Sequence, residues 1–197
     1  MKLFFSPASP FARKCRILIR EKGLADRVEE VRADPIAGDA ALNSANPMGQ
    51  VPALVDDDGV AWTDSPLICA RLDTLAPNPR FIPEGEARWG ILRREVIADG
   101  MMELGVKWRL ESLRPENERS PTWIARWRAG VARGLDAAER AVSESSALDL
   151  GAVATVCALT WLDFRHPHLA WKAEHPKLAS LQATQEGRPS FRDTAPA

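Results

Sequence analysis

Along the first part of the chain, short apolar runs closed by proline or glycine alternate with runs whose apolar residues recur every three to four positions. Residues 2–5 are apolar and β-prone and stop at Ser6-Pro7. Over 10–22, Phe11, Cys15, Leu18 and Ile19 fall at helical spacing and Gly23 follows as a C-terminal cap, which predicts a helix of about three turns. Residues 27–32 predict a second strand, 36–43 a short helix and 53–56 a third strand. Asp56-Asp57-Asp58-Gly59 ahead of Val60-Ala61-Trp62 has hairpin chemistry, because Asp-Gly tolerates positive φ between strand formers; a fourth, antiparallel strand follows. Ser65-Pro66 opens a further helix to about Ala76, with Ser as N-cap and Pro at its first position. The order β-α-β-α-β-β-α predicts a small mixed sheet covered by helices.

Residues 77–83, Pro-Asn-Pro-Arg-Phe-Ile-Pro, are too proline-rich to continue a helix and read as a connector. Beyond them the spacing changes. Over 86–113, 121–143 and 149–164 apolar residues recur at the three- and four-residue spacing of helices that pack on one another. The expected organisation is therefore an α/β domain over 1–77, a linker over 78–85 and an all-helical domain over 86–197.

Composition narrows the function classes. The chain has 197 residues, 45% apolar and 27% charged, with a net charge of −1. That is ordinary globular composition. Its basic residues are scattered, so no nucleic-acid partner is expected. The opening MKLFFSPASPFARK is interrupted too early for a signal or membrane segment, and a cytoplasmic protein with no membrane partner is expected. Cys15, Cys69 and Cys157 are odd in number and lack CxxC spacing, which argues for small buried residues over a disulfide framework or a zinc site. His166 and His168 flank Pro167, which breaks helical spacing, and His175 stands apart; no metal is expected.

Three segments carry candidate chemistry. Ser9-Pro10-Phe11-Ala12 puts a hydroxyl at a helix N-terminus, where unpaired N–H groups and the helix dipole favour an anion such as a thiolate. Ser9 equally suits a plain capping role. Asn46-Pro47-Met48-Gly49-Gln50-Val51-Pro52-Ala53-Leu54 is a tight turn entering a strand through a proline. It fits either a backbone edge that pairs with a peptide-like ligand or an ordinary trans proline at a strand start. Asp64-Ser65-Pro66 begins another helix, suited to a ligand carboxylate and ammonium or to capping alone.

Taken in order, these segments resemble the glutathione transferase superfamily, and SPASPFARKCR is similar to the opening of small bacterial members of it. CALTWLDFR over 157–165 and GRPSF over 187–191 look like its helical domain. The resemblance implies a thioredoxin-like domain followed by a helical one. It implies that the Ser9 hydroxyl donates to a glutathione thiolate, and that Val51, before a cis Pro52, pairs its backbone with the cysteinyl part. Asp64 and Ser65 would hold the γ-glutamyl end, with Gln50 nearby. An electrophile would lie against the helical domain, where six of the seven tryptophans fall; Trp108 is the candidate wall, and Arg109 or Arg114 either attracts an anionic substrate or is solvated surface charge. Ser9-Pro10-Phe11-Ala12 also resembles the Cys-Pro-Tyr-Cys of glutaredoxins without its sulfurs, so dithiol exchange there is chemically closed. The chain has no tyrosine to activate glutathione. Family helices near Asp149 usually open on Ser or Thr with Asp three residues on; Asp149 and Ala152 stand here, so half of a capping box is missing and a modest stability loss is expected. The implied function is a glutathione S-transferase of detoxification, homodimeric, with glutathione as co-substrate. The alternatives are a non-catalytic glutathione-binding or protein-binding regulator, and a glutathione-dependent reductase or isomerase.

Overall fold

The computed structural model describes residues 1–142 and 148–197; Ser143, the last residue of one expected helix, lies outside them. In chain order the elements are β1 (Lys2–Phe5), α1 (Pro10–Glu21), β2 (Glu29–Arg32), α2 (Ala40–Ala45), β3 (Ala53–Val55), β4 (Ala61–Thr63), α3 (Ser65–Thr74), α4 (Ala87–Leu113), α5 (Pro121–Ala141), α6 (Leu150–Arg165), α7 (Pro176–Glu186) and α8 (Pro189–Arg192). They form two compact units, Met1–Gly85 with Arg188–Ala197, and Glu86–Gly187. No helix among the described residues is long and apolar enough to cross a membrane.

The first unit is built on a four-stranded sheet ordered β2-β1-β3-β4, with β1 and β2 parallel and the other pairs antiparallel. Side chains alternate across it. Phe4 and Ala53 join Ala33, Leu42 and Ala45 in a core beneath α2. Their neighbours Leu3 and Leu54, fully buried, take the opposite face, the side of the α1–α3 pair. Sheet order and element sequence make the unit thioredoxin-like, as the resemblance implies.

Two local expectations change. The short helix begins at Ala40, not Ile36, because the Asp34 carboxylate accepts the amides of Ile36 and Ala37 and holds that stretch as a turn. The Asp39 carboxylate then caps the helix through Ala41 and Leu42. In α3 the N-cap is Asp64, and Ser65 is the first helical residue with its side chain turned inward.

The proline-rich connector belongs to the first unit through one buried ion pair. The Lys22 ammonium donates to Asp73 Oδ1 at 2.9 Å, to the Asp73 carbonyl at 2.9 Å and to the Pro79 carbonyl at 2.7 Å. The Asp73 carboxylate in turn accepts the amides of Phe81 and Ile82, each at 3.0 Å. Both charges are inaccessible to water and each has several partners, the condition under which a buried pair persists.

The second unit is all-helical, as expected. Residues on every side of α6 are buried, and α4, its main packing neighbour, also packs against α5. Close approach of α4 and α6 depends on Gly105: a Cβ there would meet Trp161 at 2.8 Å. The C-terminal ten residues depart from expectation. Instead of finishing the helical domain, the segment containing Pro189-Ser190-Phe191 lies with the first unit, where Phe191 is fully buried and its carbonyl accepts from Arg13 at 3.0 Å.

Candidate functional site

The sheet register brings the three singled-out segments to one end. Phe4 pairs with Ala53, and Ala53 with Thr63. The end of β1 leading to Ser9, the start of β3 following Val51-Pro52, and the end of β4 leading to Asp64-Ser65 therefore lie side by side. Separations of some forty residues in sequence become neighbouring strands. Trp108 belongs to the second unit.

Ser9 is the N-cap of α1, and its Oγ accepts the Ala12 amide at 3.2 Å. A hydroxyl that accepts in this way keeps its own hydrogen for donation. With Pro10 at the first helical position one orphan N–H is removed, and the dipole of a 12-residue helix still points its positive end at the hydroxyl.

The second segment is a turn held by one side chain. The Asn46 amide donates to the Gln50 carbonyl at 2.7 Å, its Oδ1 accepts from Met48, and its backbone carbonyl accepts from Gly49. Gly49 has φ of 64°, a conformation that favours glycine, and a Cβ there would sit 3.0 Å from Asn43 Oδ1, so that side chain would have to shift. The turn delivers Gln50, exposed, and Val51, half-buried, ahead of a cis bond to Pro52. The β3 ladder starts at Ala53, so the backbone of Val51 is not committed to the sheet.

Asp64 carries the third segment in an unusual backbone conformation, φ 70° and ψ 127°, and is the only non-glycine residue with positive φ among those described. Such conformations cost on the order of 1–3 kcal/mol and persist where the surroundings enforce them. Its carboxylate is exposed and makes no cap bond. The conformation turns Ser65 inward, where the hydroxyl is buried with no hydrogen-bond partner among the described residues. An unsatisfied buried hydroxyl costs about 1–3 kcal/mol, so a ligand that bonds to it gains what the fold forgoes. No sequence signal distinguishes this serine from a cap; only its burial does.

Beneath the site, α1 and α3 meet through Cys15 and Cys69, whose sulfurs are 3.7 Å apart, and Cys15 Sγ lies 4.0 Å from the Ser65 carbonyl. Cysteines distant in sequence are thus paired across the core as thiols.

In the second unit Trp108 is buried and stacked on His166, with ring centroids 3.8 Å apart. His166 Nε2 is 3.1 Å from the Gly105 carbonyl, so that nitrogen carries the hydrogen. Burial, opposed by this bond and reinforced by nearby His168, Arg109 and Arg128, holds the His166 pKa below the usual value.

Comparison with known proteins gives this arrangement a family. Residues 8–75 match the glutathione S-transferase N-terminal domain and 121–180 the C-terminal domain. An uncharacterized GST-like protein, YibF of Escherichia coli K12, is 32% identical over 201 residues, covering 100% of this chain and 98% of its own. A glutathione transferase family member from Pseudomonas fluorescens Pf-5, solved with bound glutathione, superposes with a TM-score of 0.95 at 39% identity, covering 100% of this chain and 98% of that one. Another structure of a family member from that strain holds S-(propanoic acid)-glutathione; it superposes with a TM-score of 0.88 at 35% identity and covers 100% of both chains. With both domains matched in order and full-length likeness to glutathione-bound relatives, the chain belongs to the glutathione S-transferase family.

Proposed function

We propose that this protein is a glutathione S-transferase that binds glutathione at the sheet end formed by Ser9, Gln50-Val51-Pro52 and Asp64-Ser65, and activates its thiol with Ser9. The observation that carries the reading is the convergence, at one sheet end, of a hydroxyl with a donatable hydrogen at a helix N-terminus and a buried hydroxyl without a partner. Relatives that hold glutathione and an S-substituted glutathione support it. The chemistry needs no residue to form a covalent bond. A cysteine thiol ionises near pH 8.5, and a donor at the positive end of a helix lowers that value. The thiol proton leaves to solvent, the thiolate sulfur bonds to an electrophilic carbon, and the leaving group departs with its bonding pair. Ser9 stabilises the thiolate before attack, while Val51 and Asp64-Ser65 hold the tripeptide so that the step is effectively unimolecular. Trp108, almost wholly buried, is proposed to back the wall for the electrophile from beneath. The reading extends to a cytoplasmic homodimer acting in detoxification.

Glutathione titration by calorimetry and conjugation of chlorodinitrobenzene across pH test this. Ser65→Ala should weaken glutathione binding about tenfold or more, the loss of about 1.4 kcal/mol or more, while the ligand-free protein melts no lower than the parent, because the substitution removes a buried hydroxyl that has no partner. Ser9→Ala should shift the pH–rate profile to higher pH and lower the melting temperature, since it removes an N-cap worth about 0.5–2 kcal/mol. No heat on titration with millimolar glutathione would end the binding claim; an unchanged pH profile in Ser9→Ala would end the catalytic one.

A further inference from the structure

Around Trp108 the helical unit gathers basic side chains from three helices and the loop that follows the last. Arg109 comes from α4, Arg128 from α5, Arg165 from the end of α6 and His168 from just beyond it. The Arg128 guanidinium lies over the Trp108 ring, 5.3 Å from its centroid, and His168 meets the same ring edge-on at 5.4 Å. His166 stacks on Trp108 and touches His168 edge-on at 6.0 Å. Trp108 and His166 are almost wholly buried, 4% and 3% exposed, so they are a fixed platform; Arg128 and His168 are exposed and Arg109 and Arg165 half-buried.

The three arginines lack the ion-pair partners that several other arginines of this chain have. Arg16 and Arg20 share Glu30, Arg94 holds Asp149, Arg114 pairs with Glu118 and Arg188 with Glu21. The guanidinium groups of Arg109, Arg128 and Arg165 make no hydrogen bond and no ion pair among the described residues, and burial, with Arg109 adding to it, lowers the Arg165 pKa. The C-terminal dipole of α6 favours a cation at Arg165. It does not account for Arg128, which sits in the middle of α5. Like charges held together on a rigid aromatic support cost free energy unless an anion joins them, and planar guanidinium groups suit a carboxylate.

We infer that Arg128 and His168, set on Trp108, and Arg109 and Arg165 beside them form a binding site for an organic carboxylate, and that the second substrate of this protein is an acid-bearing electrophile. The substrate role rests on the transferase reading; the anion site does not. The test is calorimetric titration of the full chain with para-nitrobenzoate and with para-nitrobenzamide, a near-isostere lacking the charge. The benzoate should bind about tenfold tighter, with a preference that shrinks as salt is raised. Arg109→Gln/Arg128→Gln should reduce that preference to about twofold or less, and Arg128→Lys, which keeps the charge but loses the planar fork stacked on Trp108, should retain only part of it. In turnover, the kcat/KM ratio of a chlorodinitrobenzoate to its methyl ester should exceed one and collapse in the double variant. Equal binding of benzoate and benzamide, or a preference that survives the double variant, overturns the inference and leaves glutathione binding standing. Arginine-dependent benzoate binding without any glutathione binding upholds the anion site and ends the transferase reading.

Discussion

His175 and His166 show how one residue type acquires opposite pH behaviour from its contacts. His175 is buried at the start of α7, with Nδ1 2.9 Å from the Trp171 carbonyl and Nε2 3.1 Å from Asp136 Oδ1. Both ring nitrogens face acceptors, so both must carry hydrogen, which only the imidazolium does. Burial opposes the charge, but the Trp171 carbonyl, Asp136 and Glu139 prevail and raise the pKa. The folded state therefore holds its proton more tightly than the unfolded chain; the stabilisation is full below about pH 6.5 and is lost as pH rises through the raised value. His166 has the reverse sign: with its pKa depressed, its contribution is full above about pH 6.5 and is lost as pH falls through the lower value. Urea unfolding at several pH values should show that His175→Gln costs most in acid, whereas His166→Asn flattens the decline in stability below neutrality.

At the scale of elements, a charge often decides where a segment ends or docks. Asp149 caps α6 by accepting the Ala152 amide at 2.9 Å through one oxygen, while Arg94 of α4 bonds to the other. The half capping box thus gains a partner from a different helix, which no local motif displays. Lys22 and Asp73 do the same for the connector. Lys22→Met should lower unfolding free energy by about 3–5 kcal/mol, the cost of stranding one buried charge, measured as a fall in the urea midpoint. Adding Asp73→Leu should not restore stability as replacing an isolated ion pair can. The Phe81 and Ile82 amides would then lose their acceptor, at about 1–3 kcal/mol each if they stay buried.

For the molecule as a whole, the return of the chain's last ten residues to the first unit has a direct consequence. Arg188 and Ser190 both bond to Glu21, and the Phe191 carbonyl takes the only hydrogen bond that the buried Arg13 guanidinium makes among the described residues, where its Nε and Nη1 have no partner. A chain truncated after Gly187 should melt several degrees lower, because the apolar surface that Phe191 buries is exposed and the Arg13 guanidinium loses its acceptor. Hydrogen exchange should rise in α1 more than in α4. Alternation and spacing in the sequence determined the strands, the hairpin, the switch to helices after the proline-rich stretch and both helix starts at Ser9 and Ser65, because periodicity and capping are local properties of the backbone. Only the tertiary structure decided that Ser65 is a buried hydroxyl and not a cap, that Ile36 lies in a turn, that Cys15 meets Cys69, and that 188–197 belongs with the first unit. Those outcomes depend on burial and on partners tens of residues away, and the same side chain is a cap, an orphan or a core residue according to what surrounds it.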